Sequence, residues 1–222
     1  MMVSNIQKIY YALLSHYGPR GWWPLFNEKT GRIEYHPGDY SFPKNDQQSF
    51  EIVIGAILTQ NTSWKNVEKA MEELRKNNAL SKANLEALSA EKIAMLIKSS
   101  GYHNQKAKKI KEYLRFNKET TRESLLQVWG IGPETADSIL LYAHKQPVFL
   151  IDAYTKRIME RIGLLFTSYS DLQNIFMDSL PKDYKIYNEF HALLVELGKN
   201  VCKKEPLCDK CPLARSCNYC NR

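Results

Sequence analysis

Apolar residues recur along most of this chain at steps of three and four, the spacing that places them on one face of an α-helix. Five segments carry the pattern: Ile6, Ile9, Tyr10, Leu13 and Leu14; Val67, Ala70, Met71 and Leu74; Ile93, Met95 and Leu96; Ile110, Tyr113 and Leu114; and Ala192, Leu193, Val195 and Leu197. The last helix is expected to end at Gly198, because glycine is a favoured C-cap. No run alternates convincingly, and the short apolar run at 148–151 is interpreted as a buried connection. The pattern predicts an all-α fold.

The segment from Gly18 to Asp46 interrupts these helices and is predicted to be a loop. It contains four prolines, several glycines and several aromatic rings, and proline and glycine are the strongest markers of turns and loops. The rings indicate either a packed surface loop or a loop that carries function.

Composition and charge narrow the class of protein. The chain has 222 residues, 44% hydrophobic and 25% charged, which allows one large domain or two small ones. No apolar run approaches the roughly 20 residues of a membrane span, and the first residues lack the layout of a secretion signal, so we expect a cytoplasmic protein. The net charge of +7 and pI of about 9.0 suit a polyanionic partner such as DNA or RNA, although many basic proteins bind neither.

A compact cysteine array, Cys202-x5-Cys208-x2-Cys211-x5-Cys217, stands near the C-terminus, and Cys220 follows it. Disulfides are rare in the cytoplasm, so a metal centre explains the array better than cross-links do. Four thiolates suit either an iron–sulfur cluster or a structural zinc ion. The segment is too short for a hydrophobic core of its own, so the metal would have to organise it.

Residues 126–137, Leu-Gln-Val-Trp-Gly-Ile-Gly-Pro-Glu-Thr-Ala-Asp, are interpreted as two helices joined by a glycine turn. Gly130 and Gly132 permit backbone angles that are closed to other residues, and Pro133 suits the first turn of the second helix. A helix–hairpin–helix element of this kind exposes amides that can hold a DNA phosphate. A plain helix–helix turn is the alternative.

Asp152 follows an apolar run that comes after the hairpin. An aspartate there can simply cap the next helix. A carboxylate at the edge of an apolar site is also what cleavage of a glycosidic bond requires, because it can stabilise the oxocarbenium cation and orient the attacking water. Both interpretations stay open at this point.

The hairpin, the aspartate and the cysteine array occur in the order found in the endonuclease III superfamily of DNA glycosylases, and the chain resembles that superfamily from about Phe50 to Cys217. The resemblance implies two helical lobes with a DNA-binding cleft: 31–146 with the hairpin, and 1–30 plus 147–222 with the cluster loop. It makes Asp152 the catalytic aspartate. The hairpin residues that it assigns to DNA are Gly130, Ile131 and Gly132.

The same resemblance implies a cofactor and a partner. It assigns a [4Fe-4S] cluster, with structural zinc as the alternative, to four ligands: Cys202, Cys208, Cys211 and Cys217. The implied partner is double-stranded DNA with a damaged base, bound by a monomer that is associated with the nucleoid and not with a membrane.

One position departs from the bifunctional members of that superfamily, in which a lysine of the second hairpin helix attacks the sugar. The matching residue here is Glu134, and a carboxylate cannot form a Schiff base. The resemblance therefore predicts a monofunctional enzyme, which releases a base by water attack and leaves the strand uncut.

Three runs resemble the endonuclease III-like 3-methyladenine DNA glycosylases, namely Trp22-Trp23-Pro24, residues 50–62 and residues 100–108. That subgroup implies an alkylated purine as substrate, and aromatic faces attract such a cationic ring. The candidate substrate-binding residues are Trp22, Trp23, Pro24, Phe50 and Glu134. Gln60 is the candidate for filling the gap that a flipped base leaves, or else is a plain polar helix residue.

Other functions remain as alternatives. A glycosylase of the same superfamily could act on oxidised pyrimidines or mismatched bases, and a non-catalytic iron–sulfur protein could bind DNA through the same hairpin. The lysines at 106, 108, 109 and 111 are interpreted as a solvated helix face, with contact of some of them with phosphates as the alternative. His103 and His191 are interpreted as structural histidines.

Overall fold

The structure is a computed structural model that describes residues 3–221. Its α-helices are, in chain order, α1 (Val3–Tyr17), α2 (Asp46–Leu58), α3 (Trp64–Lys76), α4 (Lys82–Ala87), α5 (Ala90–Leu96), α6 (His103–Leu114), α7 (Arg122–Leu125), α8 (Pro133–Ser138), α9 (Ala153–Ile162), α10 (Tyr169–Ser179) and α11 (Tyr184–Asn200). A π-helical segment, Ile139–Ala143, continues α8, and single 3-10 turns lie at Lys98–Ser100, Cys208–Lys210 and Ala214–Ser216. The predicted helical fold class is confirmed.

The segment from Gly18 to Asp46 is not all loop. Two short strands, β1 (Leu25–Phe26) and β2 (Ile33–Glu34), pair antiparallel within it, with Leu25 opposite Glu34 and Phe26 opposite Ile33. Each strand has two residues, too few to show the alternation that reveals a strand in sequence. The run at 148–151 forms no strand and is buried at Phe149 and Ile151, so the predicted buried connection is confirmed.

The chain forms two compact units, each with its own packing. Unit 2 comprises Leu25–Glu34 and Ser41–His144. Helix α2 is its central element, because every residue from Glu51 to Leu58 is buried, as expected of a helix that is covered on all sides. Helices α3, α6 and α8 and the π-helical segment pack against α2. The side chain of Asn45 caps α2 by accepting from the Gln48 N–H, a favoured N-cap arrangement.

Unit 1 comprises Met1–Pro24, Tyr35–Tyr40 and Lys145–Arg222. Its core is aromatic: the rings of Phe149 and Phe176 stack with centroids 4.1 Å apart, and Tyr187 and Phe190 of α11 meet Phe149 edge-on at 5.6 and 5.7 Å. Edge-on and offset arrangements of this kind are the favoured geometries of aromatic pairs. Helix α11 packs on α1 and α9 and carries the polar groups that build the candidate site. That these units correspond to the lobes expected at 31–146 and at 1–30 plus 147–222 stays a prediction.

Two details of the helical pattern were wrong. Helix α11 runs on to Asn200, and Gly198 lies inside it, where a Cβ atom would come within 2.6 Å of the Tyr154 ring. The glycine is thus explained by a close helix–helix approach and not by a cap. Met95 is 62% exposed, so it does not belong to the apolar face of α5. No helix in residues 3–221 combines the length and the apolar character that crossing a bilayer needs.

Candidate active site

Asp152 is the N-cap of α9. Its Oδ1 accepts a hydrogen bond of 2.7 Å from the Thr155 N–H, and its Oδ2 lies 3.6 Å from Nε2 of His191 in α11. Only 13% of the Asp152 side chain is exposed. The capping interpretation is therefore correct for one carboxylate oxygen, while the other oxygen faces a buried histidine.

The surroundings of Asp152 favour its charged form. Burial raises the pKa of this carboxyl, but the contacts with the His191 ring and with the Thr155 N–H outweigh burial and leave the pKa below its ordinary value. Hydrogen bonds and positive charge directed at a carboxylate favour ionisation in this way. Asp152 is consequently a buried carboxylate that stays ionised at neutral pH.

His191 was missed as a site residue. It is 4% exposed and lies on the buried face of α11, among apolar neighbours. The signal that could have found it is a pair of polar residues within a stretch of α11 that is otherwise apolar, because Glu189 is also buried. Buried polar groups of this kind need partners, and both of these residues have them.

Glu189 of α11 binds two residues of the segment from Gly18 to Asp46. Its Oε1 accepts from the Arg20 N–H and its Oε2 from the Tyr40 hydroxyl, each at 2.7 Å. The Arg20 guanidinium also pairs with Glu196 of α11 at 2.9 Å. Burial and the Glu189 carboxylate raise the pKa of Tyr40, which keeps its proton for this bond. Helix α11 thus binds Arg20 and Tyr40 and also carries His191, the residue beside Asp152.

Three of the candidate substrate-binding residues, Trp22, Trp23 and Pro24, lie in this segment. Trp23 and Pro24 are buried and Trp22 is half-buried. The Trp22 ring lies 5.4 Å from Trp23 and 5.9 Å from Tyr35, both tilted. The turn depends on Gly21, which has φ +67° and where a Cβ atom would stand 2.2 Å from the backbone of Pro37. The loop is therefore a packed and anchored structure.

Phe50 and Glu134 belong to unit 2. Phe50 is half-buried on α2, and Glu134 is exposed in the first turn of α8. Next to Phe50, the buried Glu51 accepts from the Phe26 N–H of β1 at 2.8 Å. Burial raises the pKa of Glu51 to about 7. That Phe50 and Glu134 bind the substrate stays a prediction.

The helix–hairpin–helix layout is present, formed by α7, a tight turn and α8. Gly130 takes φ +84°, a conformation that favours glycine, and the Ile131 N–H donates to the Val128 carbonyl at 3.0 Å. Ile131 is buried and Gly132 exposed. The Arg122 guanidinium clamps the two helices by a two-point contact with the buried Asp137, at 2.7 and 3.3 Å. Direct contact of Gly130, Ile131 and Gly132 with DNA stays a prediction.

Gln60 is bound to this hairpin. Its Nε2 donates to the Gly130 carbonyl at 3.1 Å and to the Thr135 hydroxyl at 2.9 Å. Its Oε1 accepts from the Lys109 ammonium. The side chain therefore ties α6 and the end of α2 to the hairpin, and its proposed place in a vacated base stack stays a prediction.

The interpretation of the α6 lysines as a solvated face was wrong for Lys106, Lys109 and Lys111, whereas Lys108 is exposed as predicted. Lys106 is 1% exposed and donates to the carbonyls of Leu58 and Ser100 at 2.8 and 2.6 Å; burial, and then the charge of Lys109, lowers its pKa to about 8. Lys111 donates to the Glu86 and Leu88 carbonyls at 2.8 and 2.9 Å, at the C-terminal end of α4. The sequence shows that these lysines are charged, but it does not show which backbone carbonyls accept their hydrogen bonds.

The cysteine segment brings its thiols together. Burial raises the pKa of the Cys211 thiol, and the nearby thiols of Cys202, Cys217 and Cys208 raise it further. The Arg161 guanidinium lies 3.2 Å from the Cys202 sulfur, and the Cys217 sulfur lies 3.4 Å from the Arg161 carbonyl.

No group of three or more His, Cys, Asp or Glu side chains within residues 3–221 has a metal-binding arrangement. Four neighbouring thiols and an adjacent guanidinium fit a centre with net negative charge. The identity of the metal remains a proposal.

Comparison with known proteins identifies the family. Residues 54–182 match the HhH-GPD superfamily, described as base excision DNA repair proteins. The chain belongs to the HhH-GPD superfamily. It is 39% identical over 230 residues to a Methanocaldococcus jannaschii protein named as a DNA repair glycosylase, covering 96% of this chain and 95% of the relative. It is 32% identical over 196 residues to endonuclease III of Thermotoga maritima, covering 82% and 89%.

Solved structures of HhH-GPD proteins share the fold. One is the 3-methyladenine DNA glycosylase MagIII of H. pylori bound to 1,N6-ethenoadenine, with a TM-score of 0.69 and 25% identity over 89% of this chain and 97% of that one. A trapped covalent complex of endonuclease III with DNA has a TM-score of 0.78 and 18% identity over 100% and 98%. The resemblance inferred from sequence is confirmed, and the protein is a DNA glycosylase of base excision repair.

Proposed function

We propose that this glycosylase removes alkylated purines of the 3-methyladenine type from double-stranded DNA and leaves the strand uncut. The observation that carries the proposal is Asp152, a buried carboxylate with a lowered pKa and with one oxygen held by a cap. Such a group can stabilise a sugar that becomes cationic, because charge acts strongly where water is excluded. It can also orient the attacking water.

The alkylated purine is favoured by the aromatic residues. An N3- or N7-alkylated purine is positively charged, which weakens its glycosidic bond and makes protonation of the leaving base less important. Rings attract such a cation by roughly 1–2 kcal/mol per contact, and Trp22, Trp23 and Phe50, with Pro24 and Glu134, supply the candidates. The target must first leave the duplex, at a cost of about a few kcal/mol. The likeness to MagIII, which is titled a 3-methyladenine glycosylase, supports the same class.

The absence of strand cleavage is favoured by Glu134 and by the state of Lys106 in α6. Glu134 stands where bifunctional members have their nucleophile and cannot form an imine. Lys106 has a lowered pKa, which would suit a nucleophile, but it is 1% exposed and donates to two carbonyls. An amine in that state cannot reach a sugar.

The remaining residues hold DNA and the cofactor in this proposal. Gly130, Ile131 and Gly132, with Gln60, form the DNA-contacting hairpin. A [4Fe-4S] cluster would be held by the thiolates of Cys202, Cys208, Cys211 and Cys217. Its role in this proposal is structural, because it would tie the C-terminal segment together. Visible absorbance and iron content of the purified protein test this against stoichiometric zinc.

The first experiment separates the catalytic role of Asp152 from its capping role. Asparagine caps helices about as well as aspartate, whereas alanine costs about 0.5–2 kcal/mol. Asp152→Asn should therefore keep the stability of the fold and the affinity for DNA with an abasic analogue, but lose base release from methylated DNA. Near-normal release by this variant contradicts the proposal.

The second experiment identifies the substrate and the outcome for the strand. Duplexes with 3-methyladenine, 7-methylguanine, an oxidised pyrimidine or a mismatched thymine are incubated with the enzyme, and the released bases are identified. We expect alkylated purines to be released and borohydride to trap no protein–DNA adduct. Because relatives include proteins named endonuclease III and thymine-DNA glycosylase, release of a pyrimidine alone would reassign the substrate, and a trapped adduct would overturn the hydrolytic mechanism. Release of no base at all favours the non-catalytic alternative.

A further inference from the structure

A cation and an aromatic ring are paired at the entrance to the hairpin. The Lys108 ammonium of α6 lies 4.3 Å from the centre of the Trp129 ring, and Trp129 directly precedes Gly130. Trp129 is 49% exposed and Lys108 is exposed. Single exposed apolar residues are common in folded proteins and need no explanation. The distinctive features of Trp129 are the paired charge and its place beside the hairpin.

Lys108 differs from the other lysines of α6. Lys106 and Lys111 donate to backbone carbonyls, and Lys109 donates to Gln60. Within the described residues Lys108 donates no hydrogen bond to the protein, and its partner is the Trp129 ring. Its charge is thus available to an anion from outside, and the ring restricts where the ammonium can lie. A cation–π contact at an exposed site contributes about 0.5–1 kcal/mol, enough to bias the side chain but not to bury it.

The hairpin offers further donors beside this pair. The N–H groups of Gly130 and Gly132 donate no hydrogen bond in the part of the chain that the structure describes, whereas that of Ile131 is used within the turn. The Gly130 Cα is covered by the methylenes of Lys109, since a Cβ atom there would come within 2.5 Å of them. Helix α6 is therefore packed directly on the hairpin, which fixes the place of Lys108 relative to the turn.

We infer that Lys108 and Trp129 form a contact for the sugar–phosphate backbone of duplex DNA, with the ammonium on a phosphate and the ring against the neighbouring deoxyribose. Lysine side chains and backbone N–H groups are typical phosphate donors in protein–DNA interfaces. The inference deepens the proposed function and rests on it for the choice of DNA as partner, but it does not depend on which base is released. The contact is independent of base sequence, because it touches no base edge.

The test is binding of undamaged duplex DNA by the full chain, measured by fluorescence anisotropy over a series of salt concentrations. Removing one phosphate-contacting lysine lowers the slope of log Kobs against log salt by about 1. Lys108→Ala should show this change, together with a several-fold loss of affinity at low salt. Trp129→Ala should lose at least as much affinity, because it removes the ring and releases the ammonium. Trp129→Phe keeps a ring beneath the ammonium and should stay near wild type.

Two matched variants control for general effects. Lys92→Ala removes the same charge from an exposed position on α5 of the same unit, and Leu165→Ala removes an apolar side chain that is 83% exposed. Neither should change the slope. Thermal unfolding of each variant shows whether the fold is retained. An unchanged slope for Lys108→Ala, an equal loss for Lys92→Ala, an unaffected Trp129→Ala, or a wild type that does not bind duplex DNA overturns the inference.

The outcome is separable from that of the proposed function. If the slope changes as expected but no alkylated purine is released, the DNA contact stands and the proposed substrate is wrong. If alkylated purines are released and the slope for Lys108→Ala equals that of wild type, the proposed function stands and the contact is wrong.

Discussion

His191 Nε2 lies 3.6 Å from Oδ2 of Asp152, and their side chains are only 5% and 13% exposed. The distance exceeds that of a normal hydrogen bond, so the ring positions the carboxylate by occupying the space beside it, and it helps to lower the pKa of Asp152. With Thr155 holding Oδ1, the two partners fix the plane of the carboxylate. His191 is therefore a positioning residue for Asp152 in the proposed reaction.

Replacing His191 by glutamine should slow base release more than it affects stability. We expect release to fall on the order of tenfold, which corresponds to about 1.4 kcal/mol in the barrier. Because the ring helps to lower the pKa of Asp152, its loss raises that pKa, and the acidic limb of the pH–rate profile should move to higher pH. Single-turnover release between pH 4.5 and pH 8 measures both effects.

The acidic limb separates positioning from mere packing. A change that only loosens the core lowers the rate at every pH and leaves the limb in place. His16→Gln, at an exposed position of α1, is the control and should match wild type. A His191→Gln variant with a reduced rate but an unmoved limb contradicts the role given to the ring.

Glu51→Gln should stabilise the protein above neutral pH. Burial raises the pKa of this carboxyl from 4.5 to about 7. The unfolded chain therefore loses the proton at lower pH than the folded chain, and the native state becomes less stable as pH rises from about 4.5 to about 7. Glutamine still accepts from the Phe26 N–H but does not ionise. We expect a gain of about 1–3 kcal/mol at pH 8.

The measurement is the free energy of unfolding in urea at pH 4.5 and pH 8. The gain should be present at pH 8 and nearly vanish at pH 4.5, where folded wild type holds the proton and about half of the unfolded chains still do. Glu86→Gln, at an exposed position, serves as the control and should show no such difference. An equal gain at both pH values means that Glu51 does not titrate as its burial implies.

Features that depend on residues close together in the chain were predicted from the sequence, whereas contacts between residues far apart in the chain were missed. Asp152, the hairpin and the helical stripes carry local signals, because caps, turn glycines and apolar period are fixed by neighbours in the chain. The partners of these residues are distant. Lys109 meets Gln60 across 49 positions, and Glu51 meets Phe26 across 25. Polar residues on an apolar helix, such as His191, indicate that a partner exists but not which one.

Gly198→Ala should destabilise the protein although alanine is the better helix former. Alanine in a helix interior normally gains about 0.5–1 kcal/mol over glycine. Here the added Cβ atom would stand 2.6–2.8 Å from Cδ1, Cβ and Cγ of Tyr154, and overpacking of this kind costs about 1–3 kcal/mol. The clash involves the Tyr154 Cβ atom, which cannot move aside by rotation. We expect a net loss in the free energy of unfolding by urea.

The neighbouring Lys199→Ala is the matched variant, because it adds alanine to the same turn of α11 at an exposed position. It should leave stability within about 0.5 kcal/mol of wild type. A Gly198→Ala protein as stable as wild type would show that α9 and α11 can separate without cost.

Lys109 and Gln60 should be energetically coupled. The Lys109 ammonium is the donor to Gln60 Oε1, and Gln60 in turn donates to the Gly130 carbonyl and the Thr135 hydroxyl. Lys109→Met keeps the methylenes that cover Gly130 and removes only the charge, while Gln60→Leu removes all three bonds. Residues that share a network show interaction energies of about 0.5–3 kcal/mol. We expect the double variant to lose less stability than the sum of the two single variants.

This double-mutant cycle needs, as its control, a second pair of residues in which no coupling is expected. Lys111 and Gln60 serve this purpose, since Lys111 donates to the carbonyls of Glu86 and Leu88 and shares no partner with Gln60. Lys111→Met with Gln60→Leu should be additive within about 0.5 kcal/mol. Additivity of Lys109→Met with Gln60→Leu would mean that Gln60 holds the hairpin without help from α6. Lys109→Met keeps the methylenes that cover Gly130, so any coupling comes from the ammonium. Coupling would therefore identify the Lys109 ammonium as a link between α6 and the turn that contacts DNA in the proposed function.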